Sequence, residues 1–430
     1  MKKREAIQLF SDHVSSGKAG FYKRYWMNFV MGEREGPWLS DIDGKKQLLN
    51  LHCNGGVFNL GHRPRFLVDV LKRALDELDI GNHHLMSAER ALTAKALADL
   101  MPEDLDYVIF GAGGGEAIDT AIKVARAHTG RSKIVSFRGG YHGHTGLALA
   151  AGDPRYREPF GSTLPGFVQI PVFDLPALQE ALTDDTAAFI LETVPATLGM
   201  PLAPEGFMEA AERLCRERGV LLILDEVQTG LGRTGKLWGF QHYGVVPDIV
   251  VIGKGLSGGL YPISATIMRG DLDSVFHEDP FLHISTFGGS ELGCRVARAV
   301  LDAVSVPEFL TRVNELSDGM SDALGRLQAR HHRFFSGWRQ LGLMIGLKFT
   351  DSADGLLVSR AAYANGLLMV YANNDPSVVQ MLPPLNLPME VIPEIEDRLD
   401  RTMRLARRMK PLARIAFGFR RTGTGTEAAR

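Results

Sequence analysis

The stretch GVLLILDEVQTGLGRTGKLWGFQHYGVVPDIVVIGKGLSGGLYPISA, residues 219–265, decides the fold. It contains two short apolar runs, at 220–224 and 248–253. Continuous apolar runs of this length are typical of parallel strands that are buried on both faces. An acid pair beginning with Asp225 ends the first run, and Lys254 follows the second. Because ligands bind outside the carboxyl ends of such strands, we expect an acid and a lysine to face one pocket.

Two interpretations of this pair compete. In the first, Asp225 caps the segment after its strand and Lys254 is a solvated loop residue, as lysines between glycines usually are. In the second, Lys254 forms a Schiff base with pyridoxal phosphate and Asp225 pairs with the pyridinium nitrogen. The second chemistry needs a carboxylate that keeps the ring nitrogen protonated, so that the ring can accept the electrons left when the substrate loses a proton.

A nucleotide triphosphatase is a rival from another class. The strand at 220–224 with its acid pair fits a Walker B strand, and the segment from Gly230 to Lys236 nearly fits a phosphate loop. However, Leu237 stands where the magnesium-binding Ser or Thr must be, and this loop follows the acidic strand instead of preceding it. The order and the chemistry therefore exclude this class.

The run LILDEVQTGLGRTG, followed by GKGLSGG, resembles the class III aminotransferases of the fold-type I pyridoxal phosphate enzymes. Lys254 follows Asp225 at the spacing found in that family. The resemblance implies that Lys254 is the Schiff-base lysine and Asp225 the pyridinium partner. It also implies that Val227 lies under the cofactor ring and that Gln228 is the neighbour of the ring hydroxyl.

A glycine-rich turn at 111–116 separates a predicted strand, 105–110, from a predicted helix, 117–128. Glycines at a helix amino terminus let backbone N–H groups approach an anion, which the helix dipole also favours. A dinucleotide fingerprint fails here because Glu116 occupies its sixth position. The turn resembles the Ser-Gly-x-Glu-Ala motif of class III enzymes, with glycine in place of the serine. The resemblance implies phosphate contacts from the residues that follow Gly113, namely Gly114 and Gly115.

Three further segments match the family. The Tyr-His-Gly signature implies that Tyr141 stacks on the cofactor ring, with His142 in a supporting role. Glu192 ends another buried strand and matches a family glutamate at the same edge. The Ser-Thr-Phe-Gly-Gly motif implies that Thr286 reaches the phosphate in the neighbouring subunit of a homodimer. Alternatively, Thr286 caps the helix that begins near Ser290.

The expected reaction is an aminotransferase reaction between an amine or ω-amino donor and a keto or aldehyde acceptor. The family commonly holds an α-carboxylate with an arginine three residues before a Pro-Pro pair, where this chain has Gln380, and no Lys or Arg lies between Arg360 and Arg398. A second family glutamate is replaced by Thr197. The two losses agree, because without the cation a buried carboxylate would be unpaired. An aminomutase or racemase on the same scaffold, or a catalytically inactive relative, stays open.

The resemblance implies an α/β chain of the fold type I transferase class, with a mostly parallel seven-stranded sheet in a large domain and a smaller α+β domain. We expect an N-terminal arm at 1–50 that contributes to the small domain, and the large cofactor-binding domain at 51–300. The small domain is expected at 301–415. A Thr-Gly-rich tail at 416–430 is expected to be disordered.

Composition limits the class of protein. The chain has 430 residues, 45% of them hydrophobic, so it can bury two cores, and its net charge of −2 favours neither nucleic acid nor anionic membranes. Its 3 cysteines are widely spaced, which argues against a disulfide framework or a metal site. No apolar segment has the length of a signal peptide core or a membrane span. We therefore expect a soluble cytoplasmic protein.

Overall fold

The computed structural model describes residues 1–81, 84–102, 104–161 and 164–417, with side chains to 411. The helices are α1 (Lys3–His13), α2 (Ser16–Arg24), α3 (Cys53–Gly56), α4 (Arg65–Glu77), α5 (Ala88–Ala98), α6 (Gly114–Thr129), α7 (Gly146–Ala151), α8 (Pro154–Arg157), α9 (Leu175–Ala181), α10 (Phe207–Arg218), α11 (Glu291–Val304), α12 (Pro307–His331), α13 (Asp354–Ala364) and α14 (Ile392–Phe417).

Three sheets contain the described strands. The strands are β1 (Met31–Glu35), β2 (Trp38–Asp41), β3 (Gln47–Asn50), β4 (Leu105–Gly111), β5 (Lys133–Phe137), β6 (Phe167–Ile170), β7 (Thr186–Glu192), β8 (Leu221–Asp225), β9 (Ile249–Ile252), β10 (Ser264–Arg269), β11 (Phe335–Leu341), β12 (Met344–Phe349), β13 (Leu367–Leu368), β14 (Val370–Tyr371) and β15 (Val378–Met381).

The large sheet has seven strands in the order β4-β10-β9-β8-β7-β5-β6, and β10 alone runs antiparallel to its neighbours. The central strand β8 is buried along its whole length. Leu222 and Leu224 enter the core on one face, whereas Leu221 and Ile223 enter the core on the other. This alternation explains why the strand is apolar at every position, because both faces are covered. The predicted mostly parallel seven-stranded sheet is confirmed.

The parallel register aligns the carboxyl ends of β7, β8 and β9. Glu192 at the end of β7 pairs with Asp225 at the end of β8, and Asp225 pairs with Val251 of β9. Lys254 begins a short 3-10 turn two residues after β9 ends. The geometry of the sheet therefore delivers two carboxylates and one amine to the same edge.

Two four-stranded sheets lie outside the large one. β2 and β3 form an antiparallel hairpin, and β13 joins them by pairing in parallel with β3, from Leu367 opposite Leu49. The other small sheet has the order β11-β12-β15-β14. Leu49 and Leu51 belong to the same core as α12, α14 and these strands. The domain boundaries at residues 50, 300 and 415 stay a prediction.

Some predicted elements differ from those observed at their ends. α14 spans Ile392–Phe417 and so includes the first two residues of the tail expected at 416–430, whereas the rest of that tail lies outside the described residues. The helix expected at 117–128 begins earlier, at Gly114, because the glycines form its first turn. No helix in the described ranges is long and apolar enough to cross a membrane.

Candidate active site

A cavity of about 160 Å³ lies at the carboxyl edge of the large sheet. Every site residue predicted from the sequence contributes to it except Thr286. The lining residues are Gly114, Gly115, Tyr141, His142, Gly143, Glu192, Val194, Asp225, Val227, Gln228, Thr229 and Lys254. These residues come from five separate parts of the chain, which the parallel sheet and the amino terminus of α6 bring together.

Asp225 has one fixed partner on each carboxylate oxygen. The backbone N–H of Val227 donates to Oδ1 at 3.1 Å, and His142 Nδ1 donates to Oδ2 at 2.8 Å. Asp225 thus does cap the turn after its strand, as one interpretation expected, while the other oxygen is held by the histidine. Burial lowers the pKa of His142, but the hydrogen bond and charge of Asp225, with the charge of Glu192, outweigh burial and raise it. The imidazolium form of His142 is therefore favoured beside the carboxylate.

Among the described residues, the hydrogen-bond partners of the Glu192 carboxylate are two backbone N–H groups. Its Oε1 accepts from the Tyr141 N–H at 3.0 Å, and its Oε2 accepts from the Ala196 N–H at 3.2 Å. Burial raises the pKa of Glu192 to about 7, and repulsion from Asp225 adds to this, while the charge of His142 and the two backbone bonds oppose it. This carboxyl group can therefore change its protonation near neutral pH.

Lys254 occupies a strained and enclosed position. Its φ of 42° lies in the left-handed region, which a lysine adopts only when its surroundings impose it. Within the described residues its amine makes no hydrogen bond or ion pair. Burial lowers the pKa of Lys254, although the charges of Asp225 and Glu192 oppose that shift. A lowered pKa leaves more of the amine neutral, which is the form that attacks a carbonyl or accepts a proton.

Segment 52–56 packs closely against this lysine. Gly55 has a φ of 70°, and a Cβ added to it would lie 3.3 Å from Gln228 Nε2 and 3.4 Å from Lys254 Cε. Glycine therefore permits both the turn and the close approach. The resemblance to the family places this loop on the substrate side, whereas its contact with Lys254 joins regions that are far apart in sequence.

The amino terminus of α6 forms the other end of the cavity. Gly113 precedes the helix in an extended conformation and offers no capping side chain. A Cβ on Gly114 would lie 3.2 Å from Val227 Cγ1, so the absence of side chains lets Val227 and the helix backbone approach. The first N–H groups of a helix have no partner inside it, and its dipole favours an anion there. An anionic group therefore fits at this end, with the acid and the amine beyond it.

An aromatic group fits between these ends. Tyr141 lines the cavity, and its ring lies edge-on to His144 at 5.3 Å and to Tyr156 at 5.6 Å between ring centroids. Val227, which follows β8, also lines the cavity and presents a branched apolar side chain. The residues present thus fit pyridoxal phosphate: an anion cradle, two flanking surfaces, a buried carboxylate and a lysine amine.

Two motif residues serve the protein structure. Glu226 is fully buried and accepts hydrogen bonds from the Thr193 hydroxyl and from the N–H groups of Gly239, at 2.7 Å, and Phe240, at 3.0 Å. Arg233 is also fully buried. Its guanidinium donates to the carbonyl oxygens of Leu343 and Pro383 and to Asn59 Oδ1, at 3.1, 2.6 and 2.6 Å. Arg233 therefore ties the loop after β8 to the segments around 343 and 383.

Thr286 lies apart from the cavity of its own chain. Its side chain is exposed, and a Cβ added to Gly81 would lie 4.0 Å from its Cγ2. The alternative that Thr286 caps a helix is wrong, because Ser290 occupies the N-cap position of α11. Gly143, Val194 and Thr229 line the cavity although no role was predicted for them. Gly143 and Thr229 lie within motifs that the sequence analysis quoted. Val194 belongs to no such motif, and it reaches the cavity because the chain turns there after β7.

Comparison with known proteins agrees with this geometry. The family model described as aminotransferase class-III matches residues 22–403. An uncharacterized aminotransferase of Archaeoglobus fulgidus is 54% identical over 404 residues, which are 94% of this chain and 95% of that protein. An ornithine aminotransferase from Toxoplasma gondii has the same fold, with a TM-score of 0.87 and 27% identity over 95% of this chain and 96% of that chain.

A second structure of the Toxoplasma gondii ornithine aminotransferase has partial occupancy of pyridoxal phosphate at its active site. It matches with a TM-score of 0.83 and 27% identity, and the match covers 94% of this chain and 99% of that chain. The fold type and the cofactor expected from the sequence are thereby confirmed. The chain belongs to the class III aminotransferases and is a pyridoxal phosphate-dependent aminotransferase.

Proposed function

We propose that at least one half-reaction of this enzyme uses an amine or ω-amino donor whose reacting carbon bears no carboxylate. The observation that carries this proposal is the neutral, buried amide of Gln380, at the position where the family commonly has an arginine. Gln380 lies on β15, between Gly346 of β12 and Val370 of β14. Its Nε2 donates to the Ala196 carbonyl at 3.4 Å.

The neighbouring side chains are also neutral. The Gln380 amide lies beside His52, and burial together with the charge of Lys254 lowers the pKa of His52 to about 4. His52 is therefore uncharged at neutral pH. Thr197, where the second family glutamate is expected, donates its hydroxyl to the Gly139 carbonyl at 3.1 Å. The described residues thus offer no fixed charge from these three positions.

The nearby cations are committed elsewhere. Among the described residues that line the cavity, Lys254 is the one Lys or Arg. Arg233 is fully buried and donates to three oxygens of the protein, so it is not available to a substrate. An Arg–carboxylate clamp stabilises binding by a few kcal/mol, whereas a neutral amide contributes about 1 kcal/mol per hydrogen bond. A substrate carboxylate beside Gln380 would therefore be held weakly.

For the cofactor we propose specific roles. The amine of Lys254 would hold the cofactor through its aldehyde carbon and would carry the substrate proton, for which its lowered pKa is suited. Asp225 pairs with the ring nitrogen, and His142 holds Asp225 in place. When bound, the cofactor supplies an electron sink for the substrate carbon. Glu192, with Gln228, would lie at the edge of the ring.

Other lining residues would contact the phosphate and the two faces of the ring. The backbones of Gly114 and Gly115 would hold the phosphate at the amino terminus of α6, because their N–H groups have no partner inside the helix. Tyr141 and Val227 would cover the two faces of the ring.

We also propose a homodimer in which Thr286 completes the phosphate site of the partner. The segment around Thr286 exposes large apolar side chains, which are Phe281 (54% exposed), Leu282 (59%), Ile284 (47%) and Phe287 (53%). Met86 is also exposed. Several exposed apolar side chains in one segment favour burial against a second copy. Sedimentation at assay concentration tests this, because a fully active monomer contradicts it.

The donor preference is tested by comparing kcat/KM for a terminal amine with that for an α-amino acid of equal length. We expect the terminal amine to be preferred in at least one half-reaction, read as conversion of the cofactor to its pyridoxamine form. Gln380→Arg should shift the preference toward the α-amino acid, by about 10-fold or more. Gln328→Arg is the control, because Gln328 donates to Ser336 at the surface. Preference for α-amino acids in both half-reactions, with no further gain from Gln380→Arg, contradicts the proposal.

A further inference from the structure

We propose that the hydroxyl of Thr145 donates a hydrogen bond to the cofactor phosphate and replaces the serine hydroxyl that class III enzymes have at the position of Gly113. This inference rests on the proposed placement of the phosphate at the amino terminus of α6. It adds to the site a residue that contributes no cavity surface and that the family motif does not identify.

Thr145 lies directly against the first turn of α6. A Cβ built on Gly115 would come within 2.8 Å of Thr145 Oγ1 and 3.2 Å of Thr145 Cγ2. The hydroxyl is therefore adjacent to one of the two residues whose N–H groups would hold the phosphate. A side chain at Gly115 would collide with it, so the absence of a Cβ at Gly115 and the position of Thr145 depend on each other.

The backbone of the 141–145 segment fixes this contact. Gly143 has a φ of 127°, and a Cβ added to Gly143 would lie 2.9 Å from the Cα of Gly115. The segment thus packs backbone to backbone on the helix end. Gly143 also lines the cavity, and Thr145 is only two positions after it in the sequence. Its position relative to the helix is set by this close packing.

The Thr145 hydroxyl is not committed to another acceptor. Thr145 is the N-cap residue of α7, where a threonine usually accepts a hydrogen bond from a helical N–H, but its side chain makes no capping bond. In the described part of the chain no hydrogen bond to its hydroxyl is found, and the residue is exposed. An uncommitted hydroxyl beside unpartnered helix N–H groups suits an anion, because hydrogen bonds to charged groups are the stronger ones.

The position of Gly113 gives the complementary observation. A Cβ added to Gly113 would meet no atom within 4 Å, and its φ of −155° is extended backbone that any residue can adopt. A serine would fit there, so the structure does not require glycine. The chain thus lacks a hydroxyl at Gly113, where one would fit, whereas the Thr145 hydroxyl lies against Gly115, two residues further along.

The test measures cofactor affinity, independently of turnover. Apoprotein is titrated with pyridoxal phosphate and, separately, with pyridoxal, which lacks the phosphate, and the dissociation constants are read from absorbance and fluorescence. Thr145→Val should weaken pyridoxal phosphate binding by about 10- to 100-fold and leave pyridoxal binding unchanged, whereas Thr145→Ser should bind both as the wild type does. The phosphorus NMR shift of bound cofactor should also change in Thr145→Val.

Two further variants make the result decisive. Gly113→Ser in the Thr145→Val background should restore affinity for pyridoxal phosphate, because the serine supplies the phosphate with a hydroxyl in place of the one removed at Thr145. Thr129→Val is the control, because it removes a threonine hydroxyl at the far end of α6. Unchanged pyridoxal phosphate affinity in Thr145→Val, or equal weakening with pyridoxal, overturns the inference.

Gly114→Ala tests the phosphate placement separately, because its methyl would lie 3.2 Å from Val227. If Gly114→Ala weakens binding and Thr145→Val does not, the role of Thr145 alone is wrong. If neither variant changes affinity, the placement and the inference both fail. The donor preference set at Gln380 is independent of either result.

Discussion

The carboxyl edge of the large sheet and the β15 side of the site differ in how they treat charge. At the sheet edge, Asp225 and Glu192 are buried with two fixed partners each, and His142 lies between them. On the β15 side, Gln380 and His52 are neutral at neutral pH. The first region can stabilise charge that develops during a reaction. The second region has no fixed charge with which to bind a charged group strongly, so it favours uncharged groups. Chemistry and substrate choice are therefore separated within one site.

The largest effect should come from removing the amine at the charged region. We expect Lys254→Ala to fold, to bind the cofactor without covalent attachment and to lose turnover by about 10³-fold or more, since one amine serves both attachment and proton transfer. Borohydride reduction followed by peptide mass spectrometry checks the attachment. Lys236→Ala is the control in the same stretch, because that amine donates to the Gln241 carbonyl. Cofactor fixed to the protein in Lys254→Ala would disprove the assignment.

Asp225 and its neighbour Glu226 provide the next comparison. Asp225→Asn should keep the covalent attachment but slow proton abstraction by about 10²- to 10³-fold, because an amide cannot stabilise a positive ring nitrogen. Glu226→Gln should instead reduce stability, since Glu226 holds the backbone at Gly239 and Phe240. Single-turnover rates and thermal unfolding separate the two. A near wild-type rate in Asp225→Asn would count against its role.

Glu192 makes the charged region sensitive to pH. Its pKa in the folded protein, about 7, lies above the ordinary value of 4.5. The folded state thus binds more protons than the unfolded state between these values, and the stability of the apoprotein should fall as pH rises through that window. His142, whose pKa is raised, acts in the same direction above pH 6.5.

Glu192→Gln should remove most of the contribution of Glu192 to this pH-dependent change in the free energy of unfolding, which is of the order of 2–3 kcal/mol. Chemical denaturation of the apoprotein from pH 5 to 7 measures it. Glu205→Gln, outside the cavity, is the control. An unchanged slope in Glu192→Gln would show that another group titrates.

The charged region was largely predictable from the sequence. Apolar runs that end in Asp225 and Glu192 define buried parallel strands, and parallel strands share a carboxyl edge, so their carboxylates had to meet. Motif order then identified the lysine. The hydrogen bond from His142 to Asp225 could not be predicted, because it depends on a side-chain direction in a loop.

The neutral region was predictable only as an absence. The sequence indicates that Gln380 replaces an arginine, but not which groups surround the amide. The contacts of Gln380 with Ala196 and His52 join residues more than 180 positions apart, and the close approach of Gly55 to Lys254 is equally long-range. Such contacts follow from packing between separate sheets, and no local pattern encodes them.

Substrate preference should not change with pH. Because the pKa of His52 is about 4 and the Gln380 amide does not ionise, these two side chains should stay uncharged from about pH 5.5 to 8. Overall rates should vary over this range as Glu192 titrates, but they should vary alike for a terminal amine and for an α-amino acid. The ratio of the two kcat/KM values should therefore stay constant within about 2-fold. A ratio that shifts toward the α-amino acid as pH falls through 6 would mean that His52 becomes an imidazolium that attracts the carboxylate. His52→Asn, which cannot ionise, would then abolish that shift, and the neutral region would have to be redefined as a second titrating site.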